Sequence, residues 1–395
     1  MNLRPVSRLS VLPQLMRAFI AAVCLVSVPV SAVEVAQPAA KPVAVPEKPV
    51  AVDARATATA QIMAGVIPAA GDPVIDKLVE TEVWKKHKEA MEVQWKAVSG
   101  RVAAIEKWRD QEIALKNVSN RTLIYPFSGP DFINAWALYP NHGKYLFFSL
   151  ENPGVIPDLA LMGPKEFDAL LRDVRSAFTE IFQRNYFITS YMGRQLTTPH
   201  LKGAVPIIAT MMALKGMRIA RIERVDPFPD LTKAYEEPKA KRPGKIMRGL
   251  KITFLSAGNR SHELSYFSLD ATDKALHFYP DFLDWVGRNK PASALVKSAS
   301  YLLHDNQFSK TRDMILASAD ILVQDDTGVP YRYIKQANWN TKLFGKYHKP
   351  IKPMEWGYQG DLDKAFRDVK GEPLPFPFGY HWKGQESGLI LATRP

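Results

Sequence analysis

The chain has 395 residues, with 52 lysines and arginines against 40 aspartates and glutamates, for a formal charge of +12. Its one cysteine is Cys24, near the start. Once that segment is removed, disulfides, thiol nucleophiles and zinc–thiolate sites are excluded, and the positive balance points to a solvated basic surface or to anionic partners.

The first segment predicts export. Arg4, Arg8 and Arg17 precede the apolar run "AFIAAVCLVSVPV" over 18–30, and "VSA" follows at 30–32. Thirteen residues are too few to span a bilayer, which takes about 20, and small residues at the end of the run suit a signal peptidase. Residues 1–32 therefore read as a signal peptide cleaved near Ala32, giving a periplasmic protein with no transmembrane segment. Val23 stands where a lipoprotein signal has a small residue, which disfavours acylation of Cys24. Removing the three arginines from +12 leaves +9 on the mature chain.

Residues 33–73 are rich in Ala, Val and Pro without aromatics, the composition of a disordered tether. Residues 74–117 predict one long amphipathic helix. Trp84, Met91, Trp95, Val98, Val102 and Ile105 recur at spacings of 7, 4, 3, 4 and 3. Three heptads favour docking on the chain's own core over an independent interface.

From 118 to 395 helical and strand-like patterns alternate, predicting an α+β globular domain whose mixed sheet is largely antiparallel. "TLIYP", "YLFFSL", "MRIARIERV", "DILVQ", "VPYRYIK" and "GLILATR" read as strands, and 249–269 as a hairpin. Helices are expected over 164–187, 205–216, 280–289, 292–304 and 308–318. The polar stretch 226–249, with Lys239, Lys241, Arg242, Lys245 and Arg248, reads as a solvated link where two halves could divide. It lacks the interleaved aromatics of a nucleic-acid site.

No G-x-S-x-G, S-x-x-K, H-E-x-x-H, P-loop or G-x-G-x-x-G string occurs. The eight histidines include no i, i+4 pair on a helix, so neither a metal nor a cofactor is indicated. Two carboxylate-bearing turns stand out. In "YPFSGPDF" (125–132), Asp131 either caps the following helix or works as an acid–base group among aromatic walls. In "QDDTGVPYRY" (324–333), a single Asp-Thr-Gly excludes a pseudo-dimeric aspartic protease, a homodimeric one would need an apolar residue where Asp325 stands and a small all-β domain, and Asp325 and Asp326 on an extended strand would face opposite ways. A third cluster packs Phe376, Phe378, Tyr380 and Trp382 around His381.

"YPFSGPDF", "SYLLHDNQFSKTRDMILASADILVQDDTGVPYRY", "LFGKYHKPI" and "PFGYHW" together resemble an uncharacterised family of bacterial secreted proteins and lipoproteins, over residues 80–395. The resemblance implies export and one unit across the mature chain. It carries no activity and so no catalytic residues.

The leading expectation is non-catalytic binding of an envelope component, a glycan or a partner, with an anionic glycan or lipid surface as a candidate. Tyr125, Phe127, Ser128, His304, Tyr331, Tyr380, His381 and Trp382 are the candidate binding residues. The alternative is a hydrolase of an envelope glycan or ester that uses Asp131 with Asp325 or Asp326.

Overall fold

Short apolar runs build the frame. The computed structural model describes residues 50–113, 121–184, 196–225, 248–289, 291–352, 354–381 and 387–395. The signal segment, Cys24, residues 33–49, the lysine cluster of 226–247 and Trp382 lie outside them. Nine strands form one sheet: β1 (Thr122–Pro126), β2 (Lys144–Ser149), β3 (Arg218–Val225), β4 (Arg248–Leu255), β5 (Ser261–Ser268), β6 (Pro291–Val296), β7 (Ile321–Gln324), β8 (Asn340–Gly345) and β9 (Gly388–Thr393). Their order is β3-β4-β5-β2-β1-β6-β7-β9-β8. The fold is α+β with a mixed sheet.

Antiparallel pairing is confined to the wings, β3–β4–β5 on one side and β7–β9–β8 on the other. The five central strands are parallel. Taken among themselves in chain order, they lie third, second, first, fourth, fifth. That is the order of a doubly wound sheet. The 226–249 stretch divides nothing, because β3 and β4 pair directly across it.

Alternation along each strand feeds two cores. Leu123, Tyr125, Tyr145, Phe147 and Leu295 face one; Ile124, Leu146, Phe148, Ala294 and Val296 face the other. The first core is covered by α1 (Ala54–Ala64), α2 (Pro73–Val79), α3 (Glu82–Glu112), α4 (Phe132–Leu138), α5 (Pro164–Arg184) and α6 (Ala204–Leu214). The second is covered by α7 (Asp273–Leu276), α8 (Pro280–Arg288), α9 (Ser309–Ser318), α10 (Tyr331–Gln336) and α11 (Gly360–Val369). The β1–β2 connection carries α4 on one face and the β6–β7 connection carries α9 on the other. The winding therefore reverses between β1 and β6.

Several expectations need correction. The tether does not reach residue 73: α1 buries Thr57 to Ala60 and Ile62 to Ala64. Its small residues allow close approach, and Thr57 exchanges hydrogen bonds with the backbone of Ile219 (Oγ1 to O 3.1 Å, N to Oγ1 3.0 Å). Up to residue 113, the stretch expected as one helix over 74–117 is two, broken where Thr81 caps α3 by accepting from the Trp84 amide; residues 114–117 lie outside the described residues. The α3 stripe is spent on the chain's own core, since Trp84, Met91, Val98, Val102, Ile105 and Trp108 are all buried. The region 292–304, read as helix, begins with strand β6, because a run closed in on both faces of a parallel sheet is uniformly apolar and loses its period. "VPYRYIK", read as a strand, is α10. Its aromatic β-formers are overridden by Pro330 at the helix start and by burial of Tyr331 and Ile334 on one side.

Two buried histidines make the fold acid-sensitive. His87 accepts from the Arg175 guanidinium through Nδ1 (3.1 Å) and donates from Nε2 to the Met63 carbonyl (2.9 Å). Burial draws it down to about 4. Burial, helped by Arg121 and Arg260, draws His142 down to about 3. Both folded values lie below the unfolded value of about 6.5. The unfolded chain therefore binds more protons, and stability falls as pH drops below 6.5, by about 2 kcal/mol per histidine at pH 5. Asp326, held upward, works in the opposite sense, so the effect is read as a difference. Between pH 7 and 5 the wild type should lose about 2 kcal/mol more than His142→Asn in urea titrations; equal losses would contradict it.

Candidate functional site

Doubly wound sheets bind ligands beyond the carboxyl ends of their strands, where the winding reverses. A cavity of about 320 Å³ occupies that place. Its walls come from the segments leaving four parallel strands: Phe127 after β1, Leu150 after β2, Leu269 after β5 and Leu302 after β6, with Phe308 closing one side. The Phe127 and Phe308 rings meet edge to face at 5.8 Å. Ser149, Glu151, Asp270, Thr272 and Ser300 make the rim polar.

The floor is ionic. Asp131 and Lys297 are each 1% exposed at the side chain, and Lys297 Nζ lies 2.7 Å from Asp131 Oδ2. Tyr125 donates to the same oxygen (2.8 Å), and Asn134 Nδ2 donates to Oδ1 (2.8 Å). Burial holds the Lys297 ammonium below its usual range, with the Asp131 charge opposing. Burial also draws the Arg101 guanidinium, on α3, down to about 10, again against Asp131. Asp131 is the N-cap of α4, accepting from the Asn134 amide. In nucleotide-binding sheets the first helix end receives phosphate. Here a carboxylate fills it, which disfavours a phosphate at that helix end.

The second turn holds the opposite wall. Asp325 accepts from the amides of Ser298 (2.9 Å) and Thr327 (3.0 Å) and from the Thr327 hydroxyl. Thr327 Oγ1 in turn accepts from the Ala299 amide (2.7 Å). Burial pushes Asp325 up, and these donors pull it back. Asp326 turns the other way and accepts from Tyr301 at 2.5 Å. Burial and the neighbouring Asp325 charge push it up to about 8. Tyr380 braces the 298–300 loop, donating to the Ser298 carbonyl (2.9 Å) beside Ser300 Oγ (2.8 Å).

The backbone here is strained. Of seven non-glycine residues with positive φ among the described residues, Phe127, Ser298, Ser300 and Tyr301 belong to these two loops. Such conformations persist where surrounding contacts enforce them, and they gather at functional sites.

The predicted residues divide accordingly. Tyr125, Phe127 and Ser128 border the cleft, Asp131 lies under it, and Asp325 and Tyr380 stand behind its loop. Asp131 and Asp325 both act on Lys297, yet neither lines the cavity. The expected acid–base pair is thus not assembled: Asp131 and Asp325 have their oxygens taken by fixed donors, and Asp326 faces a small separate cavity with His348 and His381. Ser128 Oγ is sealed from solvent and has no hydrogen-bond partner, so no base activates it. Tyr331 lies on α10 with its hydroxyl 3.3 Å from Thr341 Oγ1, and His304 borders a different groove. Among the described residues no His, Cys, Asp or Glu cluster suits a metal ion.

Sequence reasoning missed Lys297, Ser298, Tyr301 and Arg101. A signal for Lys297 was present, since one lysine ends the apolar run "ASALV" before "SAS". A scan against protein-family models finds no match, and a search of curated proteins finds none similar.

Proposed function

We propose that the protein binds a small, neutral, hydroxyl-rich ligand of sugar size in the cleft between the β1 and β6 ends, without covalent chemistry. The export signal and basic surface suit work outside the cytoplasm, on a component of the cell envelope. The observation that carries the reading is the cleft itself: apolar walls at Phe127, Phe308 and three leucines, with a rim of hydroxyls and two carboxylates. Apolar walls take the faces of a ring, and the rim oxygens take its hydroxyls. The charge balance selects against anions at this site, because Lys297 is neutralised by Asp131 while Glu151 and Asp270 are not opposed within the lining. Hydrolysis is less well supported, since Asp131 and Asp325 have no acceptor to spare.

Calorimetric titration with neutral mono- and disaccharides tests this. Phe127→Ala should weaken binding about tenfold, equivalent to about 1.4 kcal/mol. Unaltered affinity in that variant, or binding of uronic acids in preference at this cleft, would refute the reading. Because Phe127 has φ 57°, Phe127→Gly should lose the same affinity yet be more stable than Phe127→Ala by roughly 0.5–1 kcal/mol in urea titrations.

A further inference from the structure

A second groove, about 240 Å³, is bordered by His304, Arg332, Trp356, Tyr358, Gln359 and Asp361 and shares no lining residue with the cleft. We propose that it is a site for an acidic saccharide, a sugar ring that carries a carboxylate. It is independent of the cleft.

The aromatic side chains make the first part of the case. Trp356 is 60% exposed and Tyr358 45% exposed, a large apolar area to leave in water. Both are nevertheless held in place. Trp356 meets the edges of Tyr301 (5.9 Å) and His304 (6.4 Å). The adjoining Gly357 is pressed so closely on Tyr301 that a Cβ there would fall 2.4 Å from the ring. Tyr358 is tied by its hydroxyl to Asp363 (2.6 Å) and lies 5.9 Å from the Tyr347 ring. Gln359, next to Tyr358, has both ends committed, accepting from the Tyr331 amide (2.7 Å) and donating to the Asp326 carbonyl (2.9 Å). Aromatic faces fixed in advance lose little side-chain entropy when a ring stacks on them.

Arg332 makes the second part. It is exposed and makes no ion pair among the described residues, resting instead 4.9 Å from the Tyr333 ring. Asp361, the carboxylate in the same groove, is engaged by Lys335 at 3.4 Å. His304 is drawn down to about 4, chiefly by burial, and is neutral at pH 7. The groove therefore offers a guanidinium fork that has no ion-pair partner among the described residues, beside two aromatic faces. A fork of that kind matches a carboxylate in bidentate fashion, and the faces match the apolar side of a pyranose. The net positive charge, +9 once residues 1–32 are removed, favours approach of such a ligand.

The test is calorimetric titration of the protein with trigalacturonate at low ionic strength. Wild type should bind. Arg332→Gln and Trp356→Ala should each weaken binding at least tenfold, with unchanged melting temperatures because both side chains are exposed. Arg224→Gln, an exposed arginine on edge strand β3, controls for diffuse charge, and Phe127→Ala controls for the cleft; both should stay within twofold of wild type. No binding by wild type, retention in either groove variant, or an equal loss in Arg224→Gln would overturn the proposal.

Discussion

Lys297→Met should cost the fold about 3–5 kcal/mol, because it strands a buried carboxylate. Asp131 is sealed with its partner at the centre of the sheet end, 2.7 Å from Lys297 Nζ. Tyr125 and Asn134 remain as donors but bring no charge. Asp131→Asn should be costly too, at about 3 kcal/mol, since it removes the carboxylate charge that lies 2.7 Å from the buried ammonium. This separates the floor from a mere helix cap, because asparagine caps about as well as aspartate and would be silent in that role. The double variant Lys297→Met, Asp131→Asn should recover at least half of the summed loss, as coupled sites do. Urea unfolding of the three variants measures it. Single variants within about 1 kcal/mol of wild type, or strictly additive losses, would contradict the ionic floor.

Gly379→Ala should be nearly as damaging and should also weaken ligand binding. Gly379 has φ 69°, and a Cβ there would lie 2.1 Å from Asp325 Oδ2. The carboxylate has little freedom to yield, pinned by two amides and a hydroxyl. The left-handed backbone adds about 1–2 kcal/mol for any residue with a Cβ, and displacing Asp325 releases the Ser298–Ala299 loop that forms one cleft wall. We expect a total near 3 kcal/mol and at least tenfold weaker binding in calorimetry. A variant with wild-type melting temperature and affinity would show that the C-terminal turn does not support the cleft.

Much of the frame was legible, for physical reasons that vary by element. The α3 stripe and the amphipathic α5 announce themselves by period, because one side meets the core and the other meets water. The hairpin of β4 and β5 was readable from its turn, where Asn259 takes positive φ. The parallel centre was not read. Runs such as "YLFFS" and "ILVQ" carry no alternation when both faces are buried, and their continuity was itself the sign of a parallel sheet. The cleft was half visible. Both turns that frame it were singled out, and capping was one of the two roles left open for Asp131. What escaped is what only topology supplies: β6 inserts beside β1 and carries Lys297 to Asp131 across 166 positions of sequence.

The most direct test of the central claim is methyl NMR of the protein during titration with a neutral sugar that binds it. Leu150, Leu269, Ala271, Ala299 and Leu302 border the cleft, and their methyl signals should shift together along one saturating isotherm while those of the exposed Leu161 and Val369, which do not line it, stay fixed. Saturable binding that leaves these five unmoved, or shifts centred elsewhere, would contradict a ligand site at the reversal between β1 and β6.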